Sequence, residues 1–107
     1  MFVEERTYTL QAGKASEYLA AYIEQGLDVQ REHLGDLIGY FTTEVGTLNQ
    51  VVHLWGYEHL NERQERRRRL YADPRWQEYV PRIRQWVLHQ ENRILLPASF
   101  SPIGNGR

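Results

Sequence analysis

The order of strand-like and helix-like segments constrains the fold of this chain more than any other feature. Short segments rich in β-branched and aromatic residues alternate with segments whose apolar residues recur at helical spacing. From the amino terminus the order is strand, helix, strand, strand, helix, strand. This order predicts an α+β protein with the ferredoxin-like β-α-β-β-α-β arrangement, in which a four-stranded antiparallel sheet carries the helices on one face. We expect the first strand beside the third, and the fourth beside the second.

The helices are recognised by their apolar periodicity and by their end signals. Residues 15 to 27 carry apolar side chains at helical spacing, and Gly35 is placed to end that helix in a left-handed conformation. Residues 60 to 72 contain few apolar side chains and predict a solvated helix. The dipeptide Asp73-Pro74 is a typical helix start, and Pro81 is expected to kink or restart the helix that follows.

The strands are predicted at residues 2 to 10, 37 to 45, 49 to 57 and 87 to 96. The middle two are separated by Gly46-Thr47-Leu48, which predicts an antiparallel hairpin with Asn49 stabilising its turn. Residues 1 to 97 are expected to form a single domain, followed by a tail at 98 to 107. We expect this tail to be ordered by docking Phe100 and Ile103 along the rim of a barrel formed with a partner, or on the partner itself.

Charge and composition narrow the class of function. The 107 residues fit one domain, and 13 basic against 14 acidic residues give a net charge of −1, which provides no long-range attraction for nucleic acid or an anionic membrane. The run Arg66 to Arg69 follows Glu62 and Glu65 at the spacing of helical ion pairs, which predicts a solvated helix face. We therefore expect neither a nucleic-acid nor a membrane partner.

The absence of cysteine excludes disulfides, thiolate catalysis and cysteine-ligated metals. The four histidines show no metal-binding spacing, so no metal and no cofactor are expected. The sequence begins without a targeting pattern and has no long apolar run, from which we expect a cytoplasmic protein.

Alternation along the third strand separates two faces. We expect the small residues of that strand to pack on the helices, leaving a mixed aromatic and polar face open. Such a face is too apolar for water and predicts a two-fold homodimer, with the sheets meeting face to face as a barrel and a small-molecule pocket in each protomer. The residues placed on this open face are His53, Trp55, Tyr57, Glu91 and Arg93.

Several blocks of the chain resemble the NIPSNAP family of the dimeric α/β-barrel superfamily. The most specific block is TEVGTLNQVVHLW, within residues 34 to 57, and the closing ENRILLP at 91 to 97 adds to it. Further blocks are ERTYTL, ERQERR, ADPRWQEYVP and FSP, so the resemblance covers nearly the whole chain. It implies the ferredoxin-like fold, a homodimer and a pocket, and we expect a compact member of the bacterial type. Related branches of the superfamily include cofactor-independent monooxygenases and haem-degrading enzymes, and a haem-ligand role for His53 or His89 rests on that analogy alone.

The candidate site residues have a functional and a structural interpretation. His53 is a candidate general base with Glu91 or Glu44 beside it, or a histidine bonded at a subunit interface. Arg6 and Arg93 are candidate anion binders, or partners of acids such as Glu4 and Glu91. The aromatic residues either line a substrate pocket or build the core, and they are Tyr8, Tyr40 and Trp55.

Two functions are consistent with these residues. The first is a small enzyme performing cofactor-independent acid–base or monooxygenase-type chemistry on a small, partly apolar metabolite. The second is a non-catalytic homodimer that binds a small ligand or another protein through the same pocket.

Overall fold

The computed structural model describes residues 1–104 and contains one four-stranded antiparallel sheet. Its strands are β1 (Phe2–Leu10), β2 (Asp36–Thr42), β3 (Gln50–Tyr57) and β4 (Val87–Leu95). They lie in the order β2-β3-β1-β4. The predicted ferredoxin-like α+β fold is confirmed, but the expected pairing of the fourth strand with the second is wrong. Because β3 pairs with the backbone hydrogen-bonding groups on only one edge of β1, β4 pairs with the other edge and makes β1 a central strand.

The first helical segment runs without a break through α1 (Ala15–Ala21), a π-helical turn (Tyr22–Gly26) and α2 (Leu27–Leu34). It ends at Gly35, whose φ of 85° confirms the predicted left-handed stop. Ile23 departs from the predicted apolar stripe and is 67% exposed. The wider π turn keeps its two end residues on the buried side and turns Ile23 outward.

The second helical segment consists of α3 (Leu60–Ala72) and α4 (Pro74–Arg84). The predicted helix start is confirmed, since the Asp73 side chain accepts a hydrogen bond of 2.8 Å from the backbone of the first turn of α4. The expected restart at Pro81 is wrong, because α4 continues through it. Proline removes only one backbone donor, and buried side chains on both sides of Pro81 hold the helix against the core. Among residues 1–104, no helix combines the length and the apolar content needed to cross a membrane.

The helices cover the face of the sheet that was expected to be open. His53, Trp55 and Tyr57 are almost fully buried on the face that the helices cover, whereas Val52 and Leu54 lie on the other face. The predicted face assignment is therefore wrong. Large aromatic side chains bury more apolar area than small aliphatic ones, so covering the aromatic face stabilises the fold more.

The β2–β3 hairpin confirms the predicted antiparallel pairing, with β2 ending three residues earlier than expected. The register shifts by one residue between Leu37 and Gly39, which marks a bulge in β2. Asn49 has a φ of 62°, and its side-chain oxygen accepts a hydrogen bond of 3.0 Å from the backbone N–H of Gly13. The interpretation of Asn49 as a turn-stabilising residue is confirmed, and it also anchors the turn to the end of β1.

The tail after β4 turns back on itself and brings Gly104 next to Pro97. Phe100 is 88% exposed and Ile103 is 44% exposed in the single chain, so their docking along the rim of a dimeric barrel stays a prediction. Within the single chain the tail is held by local bonds, because the Ser101 hydroxyl donates to the carbonyl of Ile103 at 2.8 Å and Gly104 packs closely against Pro97. Residues 105 to 107 of the predicted tail lie outside the described residues. Docking of the tail on the partner itself likewise stays a prediction.

Candidate functional site

A cavity of about 420 Å³ lies between the helices and the covered face of the sheet. Its size falls within the range of roughly 300–1,000 Å³ that is typical of small-molecule sites. Its apolar and aromatic walls are Tyr8, Tyr18, Tyr22, Tyr71, Trp76, Val80, Ile83, Val87 and Leu88. Its polar lining is Arg6, Gln30, Arg67, Arg84, His89 and Gln90.

Alternation along β1 brings Glu4, Arg6 and Tyr8 to the covered face. The fully buried Glu4 carboxylate accepts hydrogen bonds from Arg63 at 2.8 Å, Arg6 at 3.0 Å and Asn92 at 2.7 Å. Burial opposes ionisation of this carboxyl, but the hydrogen bonds from Arg63 and Asn92 and the charge of Arg6 outweigh it and lower the pKa of Glu4 to about 2. The structural interpretation of Arg6 as a partner of Glu4 is confirmed.

His53 lies in an aromatic cluster behind the cavity wall. Its ring stacks on Tyr40 with 4.6 Å between centroids and meets Tyr8 edge-on at 5.0 Å. The indole N–H of Trp55 donates to His53 Nδ1 at 2.7 Å. Tyr8 also lines the cavity, whereas His53 does not. Arg6 donates a hydrogen bond of 3.2 Å to the Tyr8 hydroxyl. Tyr8 therefore links Arg6 to this aromatic cluster.

The surroundings of His53 keep its imidazole neutral. Burial, followed by the charges of Arg6 and Arg67, lowers the pKa of His53 to about 3. Because Nδ1 accepts from Trp55, the ring hydrogen resides on Nε2, which has no hydrogen-bond partner among residues 1–104. A ring with its accepting nitrogen already occupied is unsuited to take a proton from a substrate. The same enclosure between aromatic rings does not fit a haem ligand.

The tyrosines around this cluster are also neutral. Burial raises the pKa of Tyr18, Tyr22 and Tyr40. The hydroxyls of Tyr18 and Tyr40 share a hydrogen bond of 3.1 Å. These phenols therefore contribute apolar surface and hydrogen bonds to the site rather than charge.

Glu91 and Arg93 lie on the opposite, open face of the sheet. Glu91 is opposite Thr7 and Arg93 opposite Glu5 in the β1–β4 register, whereas His53 is opposite Arg6 across β1–β3. Neighbouring residues of a strand face opposite sides, so the sheet separates Glu91 and Arg93 from His53. The predicted grouping of these two residues with His53 is wrong. Arg93 instead donates to Glu5 at 2.8 Å.

Arg67 is a residue of the cavity that the sequence analysis missed. The predicted ion pairs of Arg66 with Glu62 and of Arg69 with Glu65 are confirmed, but Arg67 is only 7% exposed. The prediction of a fully solvated helix face is therefore wrong at this position. Arg67 lies one helical turn after Arg63 and three residues before the fully buried Leu70. This spacing places it on the same side of the helix as Leu70, which was the sequence signal for its burial.

One group of possible metal ligands lies at the outer end of the helices. Glu32, His33 and Asp73 bring ligand atoms within 4.8 Å of one another. His33 Nε2 lies 2.9 Å from the Asp73 carboxylate, and the Arg75 guanidinium pairs with both acids. Arg75 already balances part of the negative charge of the two carboxylates, and these bonds tie α2 to the start of α4.

These features define a ferredoxin-like α+β protein with a small-molecule-sized cavity between its helices and its sheet. The sequence profile of the NIPSNAP family matches residues 3–102. The chain belongs to the NIPSNAP family.

Solved structures of bacterial relatives have the same fold. A NIPSNAP family protein (Atu5224) of Agrobacterium tumefaciens is 50% identical with a TM-score of 0.93, over 95% of this chain and 97% of that one. A NIPSNAP-like domain protein of Burkholderia xenovorans is 52% identical with a TM-score of 0.92, over 94% of this chain and 88% of that one. An antibiotic biosynthesis monooxygenase is 11% identical with a TM-score of 0.63, over 92% of this chain and 99% of that one, which shows the fold alone.

Eukaryotic relatives are longer proteins. Protein NipSnap homolog 2 of Danio rerio is 31% identical over 100 residues, which are 94% of this chain and 34% of that protein. The chain thus spans about a third of the length of this relative.

Proposed function

We propose that this protein binds a small, partly apolar molecule in the cavity between its helices and its sheet. The cavity of about 420 Å³ carries this proposal, because it combines aromatic and aliphatic walls with a few converging polar groups. A non-catalytic binding role is favoured over acid–base or monooxygenase-type chemistry. His53 has a pKa of about 3 and an occupied Nδ1, and the likeness to a monooxygenase extends only to the fold.

Binding can be measured with N-phenyl-1-naphthylamine, an uncharged apolar fluorophore whose emission rises in a dry site. We expect saturable binding of one fluorophore per chain. Val80→Trp places a larger side chain in the cavity and should weaken binding by about tenfold or more, since lost apolar contact of about 1.4 kcal/mol corresponds to tenfold in affinity.

The matched control is Ile23→Trp, which adds the same side chain on the exposed side of the first helical segment. It should leave the affinity for the fluorophore unchanged. Equal weakening by both substitutions, or an emission that never saturates in the wild-type protein, would argue against the cavity as the binding site. Circular dichroism of each variant checks that the fold is retained.

We also propose that a second copy of the chain covers the open face of the sheet. Phe41 is 54% exposed there, and Val52 and Leu54 lie beside it in the β2–β3 register. The ion pair of Glu5 with Arg93 borders these residues on the β1–β4 side. An apolar centre with a charged rim is typical of an interface between identical subunits.

Leu54→Glu should convert this dimer into a monomer, because two carboxylates would be buried where the apolar centres meet. Sedimentation equilibrium at micromolar concentration measures the mass directly. Ile23→Glu introduces the same charge on the outer surface and should leave the mass unchanged. A wild-type protein that sediments as a folded monomer would refute the proposed dimer.

A further inference from the structure

Arg67 holds a buried positive charge and has no acidic partner in the described part of the chain. Its side chain is 7% exposed, and none of the ion pairs formed by residues 1–104 includes it. One guanidinium nitrogen donates to the Tyr71 hydroxyl, and the guanidinium carbon lies 5.1 Å from the centre of the Tyr71 ring. Nη1 is buried and has no hydrogen-bond partner in this part of the chain. A buried, uncompensated cation destabilises a fold, so its position calls for an anion.

The charges that line the cavity share one sign. Arg6, Arg67 and Arg84 line it, and among residues 1–104 no aspartate or glutamate does. Glu4, which does not line the cavity, pairs with Arg6. The same carboxylate also pairs with Arg63, so one negative charge is shared by two guanidinium groups. The cavity is therefore electropositive although the whole chain carries a net charge of −1. The lowered pKa of His53, to which Arg6 and Arg67 both contribute after burial, is consistent with this positive field.

We propose that Arg67 binds the carboxylate of a small apolar acid in this cavity. This inference rests on the proposed function and specifies the chemical class of the ligand. The guanidinium of Arg67, which lines the cavity, supplies the charge-assisted hydrogen bond for one carboxylate oxygen. Trp76, Val80 and Ile83 provide the apolar wall for the body of the acid. Among residues 1–104, Arg67 is the buried arginine of this cavity and forms no ion pair, and its one charge matches a carboxylate better than a more highly charged phosphate ester.

The test compares acids with uncharged amides of the same shape. 2-Naphthoate, 2-naphthamide, octanoate and octanamide are each titrated against protein loaded with N-phenyl-1-naphthylamine, and the displacement gives their affinities. In the wild-type protein each acid should bind about tenfold or more tightly than its amide. Arg67→Met should reduce this ratio to about one, with each acid and its amide compared in the same variant.

The control is Arg69→Met on the same helix, since Arg69 is exposed and pairs with Glu65; it should retain the full preference for acids. Arg67→Lys keeps a positive charge and should retain part of it. Without ligand, Arg67→Met should unfold at the same temperature as the wild-type protein or at a higher one, because it removes an uncompensated buried charge. A lower unfolding temperature would assign Arg67 a structural role and overturn the inference.

The remaining outcomes separate the inference from the function on which it rests. If acids and amides displace the fluorophore equally well, or if the preference for acids survives in Arg67→Met, the role of Arg67 is refuted and the binding cavity stands. If the fluorophore does not bind saturably and none of the four probes stabilises the wild-type protein against heat, the binding function itself is refuted.

Discussion

Glu4→Gln should lower the free energy of unfolding by about 3–5 kcal/mol, the range for breaking a buried ion pair by removing one partner. The wild-type carboxylate is fully buried and compensates Arg6 and Arg63 at once. Glutamine keeps nearly the same shape but loses the negative charge. Both guanidinium groups then remain largely buried without their acidic partner, and water cannot fully replace it.

Urea denaturation followed by circular dichroism measures this loss, and Glu5→Gln is the matched control. Glu5 is the next residue along β1, faces the open side of the sheet and pairs with the exposed Arg93. Removing its charge should cost less than about 1 kcal/mol, as for exposed ion pairs. Similar losses for the two substitutions would show that burial does not govern the energy of the Glu4 cluster.

Acidification below about pH 6.5 should destabilise the protein through His53. The pKa of this histidine falls from 6.5 to about 3 on folding, because the ring is buried and faces Arg6 and Arg67. Between these two values the unfolded chain takes up a proton that the folded chain does not. The contribution of His53 to stability is therefore complete above pH 6.5 and is lost as the pH falls.

The expected loss is about 1 kcal/mol between pH 6 and pH 5 and approaches about 1.4 kcal/mol for each further pH unit. The interval from pH 6 to pH 5 isolates His53, because it lies above the range from 4.5 to about 2 in which protonation of Glu4 also lowers stability. His53→Gln should remove the loss, whereas His89→Gln should retain it because His89 is exposed on β4. Denaturation curves at successive pH values measure the slope, and an unchanged slope in His53→Gln would disprove the assignment.

The sequence alone determined the features that depend on neighbouring residues. The left-handed stop at Gly35, the helix start at Asp73-Pro74 and the turn at Asn49 follow from local backbone preferences and local hydrogen bonds, and all three are confirmed. The order of strands and helices follows from side-chain periodicity, which is also local. The family resemblance likewise rested on short runs of consecutive residues.

Tertiary structure decided which face of the sheet became the core and where the site lies. Alternation along β3 separates His53 and Trp55 from Val52 and Leu54, but the pattern is the same whichever set the helices cover. The choice depends on the summed burial of aromatic side chains from both layers, which no single strand records. Arg66, Arg68 and Arg69 form ion pairs with glutamates of the same helix. Arg67, in the same run, is buried beside the cavity. The environment of Arg67 is created by residues distant in the chain, because only the packing of α3 against the rest of the fold brings its guanidinium to the cavity.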